Sequence, residues 1–219
     1  MNNTLQLSHV LYRVQDLHQS VKSLQDAGFI VEYGTDPRKA YNALIWFEKG
    51  VFIEIYQNSG LPAPVKWFMK TFGYAPILDR MNKWEQVENG WCEWSLESTV
   101  DNLAAEKIFL KESGVGFKFH RAKRKDTKGQ TLRWDLLIPN DIVFPFLMSA
   151  YVPNPRPQHI RHPNGVSAVS ALHIGSDGLD MKLLELLLGD MVGLRFVAGK
   201  GLQHVELEGG MLDLREILK

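Results

Sequence analysis

Two residues able to do chemistry stand in apolar segments near the start of the chain. His9 opens the run at 9–14 (HVLYRV), and Glu54 interrupts the run at 51–56 (VFIEIY). Imidazole and carboxylate groups are donors that divalent cations such as Zn, Ni, Mn or Fe accept. A carboxylate between two isoleucines of a central strand also costs free energy unless it is paired or coordinated. We therefore take His9 and Glu54 as candidate metal ligands, and Glu54 also as a candidate catalytic group.

Strand geometry predicts which side chains accompany these two. If the isoleucines pack under a helix, Glu54 and Tyr56 share the opposite face, because successive side chains of a strand point to opposite sides. His9 and Arg13 likewise share one face of the first strand. Arg13 and Tyr56 are therefore candidate substrate contacts if these two strand faces border one cavity. A second interpretation stays open, in which Glu54 forms a salt bridge with Arg13 or another buried cation.

The elements that must position these residues follow the order strand, helix, strand, strand, strand. In a first module at 1–57, apolar residues recur at helical spacing over 17–27, between a plausible N-cap, Asp16, and the stop residue Gly28. The order recurs at 90–152, where Gly114 takes the place of Gly28. The sequence thus predicts two similar modules.

Two further segments complete the predicted organisation. After a proline-rich linker, residues 164–219 show a partial third module. Between the first two modules, residues 58–89 read as a helical insertion rich in aromatic residues. This insertion is either a lid over the cavity or a packed connection.

The second module does not repeat the ligand pair. Aligned on the two glycines, the position of Glu54 falls on Pro145 and that of His9 falls near Ser95, with Glu93 on the same face. Proline cannot bind a metal. Glu93 is therefore a candidate third ligand or proton shuttle, with an ordinary hydrogen-bonded carboxylate as the alternative.

A further strand, at 131–138, carries two candidate substrate contacts. Arg133 and Asp135 lie on one face and Trp134 on the other. A cavity arginine holds a carboxylate or phosphate by two hydrogen bonds, and a tryptophan offers a stacking surface. The competing interpretation of Arg133 is an ion pair with Asp135 or Glu93.

Composition narrows the class of protein. The chain has 219 residues and a formal net charge of zero, so nothing in its overall charge favours nucleic acid or a membrane surface as a partner. Its basic run at 118–128 is interpreted as a solvated hairpin. The single cysteine, Cys92, excludes an internal disulfide, and no apolar stretch is long enough for a membrane span. We expect a cytoplasmic protein.

Several stretches resemble the glyoxalase-like domain family of the vicinal oxygen chelate superfamily. They are residues 8–10 with 16–17, residues 41–44 ahead of 50–55, residues 126–134 and residues 144–146, and they span about the first two thirds of the chain. The resemblance implies an α+β fold, with paired βαβββ modules forming a curled mixed sheet around a cavity. In the superfamily's metalloenzymes a His from a first strand and a Glu from a last strand meet there on a divalent ion.

Two functions follow from this resemblance. The first is a metal-dependent lyase, isomerase or dioxygenase acting on a small substrate with adjacent oxygen atoms, with His9 and Glu54 on the metal. The second is a cavity that sequesters a drug or an aromatic molecule without chemistry, as bleomycin resistance proteins of the superfamily do. The partner in either case is a small molecule. Two complete modules can pair within one chain, so a monomer or a homodimer is expected.

Overall fold

The first module of the computed structural model, which describes residues 5–58, 61–210 and 212–219, contains four strands and one helix. They are β1 (Leu5–Arg13), α1 (Leu17–Asp26), β2 (Glu32–Tyr33), β3 (Asn42–Ile45) and β4 (Phe52–Tyr56), with a short 3-10 turn at Pro37–Lys39. The Asp16 side chain caps α1 by accepting a hydrogen bond from the Gln19 amide. Beyond the helix, Gly28 has a φ of 84°, which residues with a side chain rarely adopt.

The insertion forms two helices, α2 (Ala63–Thr71) and α3 (Ala75–Glu85). α3 buries Ile77, Leu78 and Arg80 against the rest of the protein. α2 packs on α3 and leaves Trp67 and Phe68 exposed. The two helices therefore differ in role, since α3 covers the sheet and α2 lies outside it.

The remaining elements belong to a second module and to a shorter third unit. The second module comprises β5 (Gly90–Ser98), α4 (Ala104–Glu112), β6 (Phe117–Lys125), β7 (Thr131–Pro139) and β8 (Phe146–Met148). The third unit comprises β9 (Ala168–Ser176), α5 (Met181–Leu188), β10 (Leu194–Val197), β11 (Lys200–Glu208) and α6 (Leu214–Ile217). Within the ranges that the structure describes, no helix has the length and apolar character needed to cross a membrane.

One mixed sheet joins the first two modules. Its strand order is β2-β3-β4-β1-β5-β8-β7-β6, with β1 parallel to β4 and antiparallel to β5, and with β5 parallel to β8. The third unit adds a separate sheet of order β10-β9-β11, in which β11 lies against β5. The predicted α+β fold with a curled mixed sheet is confirmed.

The two faces of the large sheet have different neighbours. On one face Val10, Ile53 and Ile55 are fully buried in the main hydrophobic cluster, together with Leu17 and Leu24 of α1. The alternate residues His9, Leu11 and Glu54 point to the other face, where they line a cavity. The hydrophobic alternation therefore fixes the orientation of the polar residues, because reversing it would expose the isoleucines to water.

Candidate functional site

A cavity of about 240 Å³ lies on the inner face of the sheet, under α3. Its polar lining residues are His9, Tyr41, Asn42, Glu54, Tyr56, Arg80, Arg124 and Tyr151, and its apolar ones are Leu11, Ile77, Met81, Trp84, Trp134, Leu136, Ile138, Phe146 and Met148. Largely apolar walls with a few convergent polar groups are typical of sites for small organic molecules.

His9 and Glu54 meet in this cavity. In the parallel ladder of β1 and β4, Glu54 pairs with Leu11, two residues beyond His9 on the same face. His9 Nε2 and Glu54 Oε2 are 3.6 Å apart. The His9 ring is 4 % exposed and stacks on Phe52, with the ring centroids 4.6 Å apart. Rigid neighbours thus hold the imidazole in one orientation.

Hydrogen bonds hold the ring nitrogen of His9 and the carboxyl oxygen of Glu54 that do not face each other. His9 Nδ1 lies 2.8 Å from Ser95 Oγ and 3.0 Å from Ser8 Oγ, and Ser8 donates to Glu97 Oε2 at 3.0 Å. Glu54 Oε1 accepts a hydrogen bond of 2.8 Å from Asn42 Nδ2. The atoms left facing each other, Nε2 and Oε2, are the ones that a ligand in the cavity would meet.

Burial shifts the protonation of both groups toward their neutral forms. Burial first, and then the positive charge of Arg124, lowers the pKa of His9 from 6.5 to about 3. Burial raises the pKa of Glu54, while the hydrogen bond from Asn42 and the charge of Arg124 oppose that rise. At neutral pH the imidazole is therefore uncharged, and the carboxyl group takes up a proton more readily than it would in water.

The low pKa of His9 implies that acid destabilises the folded protein. Below pH 6.5 the unfolded chain protonates His9, whereas the folded protein keeps it neutral down to about pH 3. The unfolded state then binds more protons, so we expect the free energy of unfolding to fall by about 2 kcal/mol between pH 7 and pH 5 from this group. Urea denaturation at the two pH values measures the change. His9→Gln should reduce it and His18→Gln, at an exposed site, should not; equal pH dependence in all three proteins would contradict the assignment.

Glu93 lies in a buried ion-pair network rather than in the cavity. Its Oε2 accepts hydrogen bonds from Arg80 Nη1 at 2.6 Å, Trp84 Nε1 at 3.0 Å and Lys83 Nζ at 3.2 Å. The predicted face is right, since Glu93 pairs with Leu11 across the ladder of β1 and β5, but α3 covers it. The prediction of a catalytic role or a metal contact for Glu93 is therefore corrected, and the alternative of a hydrogen-bonded carboxylate holds.

Two predicted substrate contacts, Arg13 and Arg133, do not line the cavity. Arg133 is exposed, because the cavity face of β7 is the one that carries Trp134. Arg13 lies beyond the cavity, and its buried Nε and Nη1 atoms have no hydrogen-bond partner among the described residues. The described part of the chain also holds no ion pair between Arg13 and Glu54, so a salt bridge of Glu54 with Arg13 is excluded. Tyr56 and Trp134 do line the cavity.

Arg124, which belongs to the basic run at 118–128, lines the cavity, although the sequence suggested that this run was solvated. β6 exposes Arg121, Lys123 and Lys125 and turns Arg124 inward. The guanidinium of Arg124 donates a hydrogen bond to the Gly34 carbonyl, and its positive charge acts on the Tyr151 hydroxyl. The prediction of a wholly solvated hairpin is thus corrected at one residue.

Strand pairing changes the predicted alignment of the second module. His9 pairs with Phe52 in β1 and β4, and Ser95 pairs with Phe146 in β5 and β8. If Ser95 corresponds to His9, as the sequence suggests, the counterpart of Glu54 is Met148 instead of Pro145. The three-residue shift arises because the loops before β4 and β8 differ. The second module still offers no carboxylate at this position.

Sequence reasoning missed five polar residues that line the site: Tyr41, Asn42, Arg80, Arg124 and Tyr151. Asn42 had a signal, because it is the polar residue of a strand whose four residues are all buried. The alternation of β6 was a weaker signal for Arg124. Tyr151 follows β8 in irregular backbone, and no local pattern indicates that it turns inward.

Two joined βαβββ modules around a cavity with a His and a Glu on its wall define the architecture of the vicinal oxygen chelate superfamily. Residues 7–184 match the model of the glyoxalase-like domain family. The chain belongs to that family. The comparison with curated proteins gave no match.

Two solved structures are similar in fold. A hypothetical protein from Staphylococcus aureus is 14 % identical, with a TM-score of 0.64, and the match covers 95 % of this chain and 92 % of that one. A Mn(II)-bound glyoxalase from Novosphingobium aromaticivorans is 12 % identical, with a TM-score of 0.53, and the match covers 96 % of this chain and 67 % of that one. At these identities the likeness concerns the fold.

The donor set for a divalent cation is incomplete. Two ligands on one ion lie about 3.0–3.6 Å apart, so the distance of 3.6 Å between His9 Nε2 and Glu54 Oε2 is compatible with one metal. Catalytic zinc sites, however, use three protein ligands, and the described residues contain no cluster of three His, Cys, Asp or Glu side chains. The positive charge of Arg124 also acts on both groups. The residues therefore fit a resident metal ion poorly.

Proposed function

We propose that the protein is an enzyme that binds a small organic carbonyl compound in this cavity. In the proposed reaction, a side chain of the cavity takes a proton from the carbon next to the carbonyl. The observation that carries the proposal is the pair formed by His9 Nε2 and Glu54 Oε2, 3.6 Å apart on the wall of an otherwise largely apolar cavity. Lyases and isomerases that act through an enolate use such a step. The proposal requires no metal ion.

Glu54 is the proton acceptor in this proposal. A carboxylate with a raised pKa is a stronger base than an ordinary one. Its pKa also lies closer to neutral pH, where a general base works best. Asn42 fixes one carboxyl oxygen at 2.8 Å and so leaves the second oxygen for the substrate. The apolar walls exclude water from the reacting carbon, which keeps the base from being solvated.

His9 is the hydrogen-bond donor to the carbonyl oxygen. Its low pKa makes it a weak base, so proton abstraction falls to Glu54. If Ser95 donates its hydroxyl proton to Nδ1 over 2.8 Å, the ring carries its proton on Nε2, which faces the cavity. A neutral imidazole held in this way polarises a carbonyl group and stabilises the negative charge that develops on its oxygen.

Solvent exchange tests the proposal directly. The panel consists of aryl and alkyl ketones and aldehydes in D2O, and proton NMR measures the exchange. We expect the protein to accelerate the incorporation of deuterium next to the carbonyl in at least one of these compounds. His9→Ala should slow this exchange. Compounds that bind, as detected by the fluorescence of Trp84 and Trp134, and yet show no accelerated exchange would instead support a sequestering protein.

Metal analysis separates this mechanism from the metal-dependent one. We expect protein purified without chelator to contain well below one equivalent of Zn, Ni, Mn or Fe, because His9 and Glu54 lack a third ligand among the described residues. Added Mn(II) should leave the exchange rate unchanged. One equivalent of metal in the wild-type protein, lost in His9→Ala, would overturn the metal-free mechanism and favour coordination by His9 and Glu54.

A further inference from the structure

Arg124 places a fixed positive charge in the cavity wall beside the proposed reacting groups. Its charge lowers the pKa of His9 and opposes the rise in the pKa of Glu54. Among the described residues, no carboxylate oxygen lies within 4.0 Å of this guanidinium. A half-buried cation without an ionic partner attracts an anionic group from a ligand.

The backbone makes room for Arg124. A side chain at Gly34 would meet Arg124 Nη1 at 2.6 Å and would collide with the Asn42 side chain. The guanidinium donates a hydrogen bond to the Gly34 carbonyl. An arginine has five donors, so this bond leaves donors for a ligand. Glycine at position 34 therefore belongs to the construction of the site.

We infer that the ligand of this cavity is a small oxo acid with an apolar, single-ring body, whose carboxylate binds Arg124. This inference rests on the proposed function and names its class of substrate. A planar carboxylate matches the fork of a guanidinium, whereas a neutral amide cannot form the ionic pair. The body of the acid then lies between Trp134, Phe146 and Leu136, which line the same cavity.

The size of the cavity sets the size of the body. An apolar cavity of about 150 Å³ accommodates benzene. The cavity of about 240 Å³ therefore holds one ring and a short acid chain.

The test compares a carboxylate with its neutral analogue in matched variants. The probes are 4-phenyl-2-oxobutanoate and its primary amide, titrated by calorimetry against wild type, Arg124→Met and Arg121→Met. We expect the wild-type protein to prefer the carboxylate by about 10- to 100-fold. Arg124→Met should lose this preference while keeping its affinity for the amide. Arg121→Met changes an exposed arginine of the same strand and should retain the preference.

The outcomes separate this inference from the proposed function. Equal affinity of the wild-type protein for carboxylate and amide, with both bound, would overturn the role of Arg124 and leave the proton transfer intact. An Arg124→Met protein that binds both probes more weakly by the same factor would also overturn that role. Failure of both probes to bind at millimolar concentration, together with no accelerated exchange in any carbonyl compound, would overturn both proposals.

Discussion

Replacing Arg80 by alanine should destabilise the protein by about 3 kcal/mol, the largest effect on stability that we expect from a single polar side chain. The guanidinium is 2 % exposed and forms an ion pair of 2.6 Å with Glu93. Its Nη2 also donates to the carbonyl oxygens of Asp141 and Phe144, at 2.9 and 2.7 Å. Arg80 thus ties α3 to β5 and to the loop before β8, and its loss leaves a buried carboxylate with fewer partners.

Chemical denaturation and thermal melting measure this effect. For a chain of this size, a loss of about 3 kcal/mol lowers the melting temperature by about 10 °C. Lys66→Ala is the matched control, because it removes a more exposed ion pair with Glu85 in the same insertion and should cost less than about 1 kcal/mol. A loss of less than about 1 kcal/mol in Arg80→Ala would show that the buried network contributes little to stability.

Replacing Glu54 by glutamine should slow the proposed proton transfer by about 100- to 10,000-fold, with ligand affinity changed only a few-fold. Glutamine keeps the size of the side chain and can still accept the hydrogen bond from Asn42. It cannot take up a proton, and so the base is lost while the cavity is preserved. NMR exchange rates and calorimetry on the same preparation separate the two effects.

The pH dependence of the wild-type rate gives a second reading of the same residue. The base form of Glu54 is required, so the rate should fall as the pH falls through a pKa that burial holds above the usual 4.5. Glu48→Gln, at an exposed carboxylate, should keep both the rate and the pH profile. A Glu54→Gln protein with a wild-type rate would assign the proton transfer to another group.

The two large expected effects concern one residue that the sequence indicated, Glu54, and one that it did not, Arg80. Glu54 was found from its own strand, because a charged residue in an alternating apolar run must face something other than the hydrophobic core. Arg80 was not found, because it lies on a helix of the insertion, and its partner Glu93 belongs to a strand of the next module. Local periodicity therefore indicated Glu54, the proposed base. It gave no indication of the Arg80–Glu93 network that holds α3 over the cavity.

The resemblance to the glyoxalase-like domain family led us to expect that His9 and Glu54 would meet. The sequence by itself determined the order of strands and helices and the inner face of β1 and β4. These features follow from backbone geometry, because side chains alternate along a strand and apolar residues recur along a helix regardless of distant contacts. Tertiary structure alone decided that Arg124 enters the cavity in place of Arg133, that α3 covers Glu93, and that Met148 is the counterpart of Glu54 in the second module. These features depend on which elements pack together and on the register in which strands pair. Loop lengths and long-range packing set both, and no local sequence pattern does.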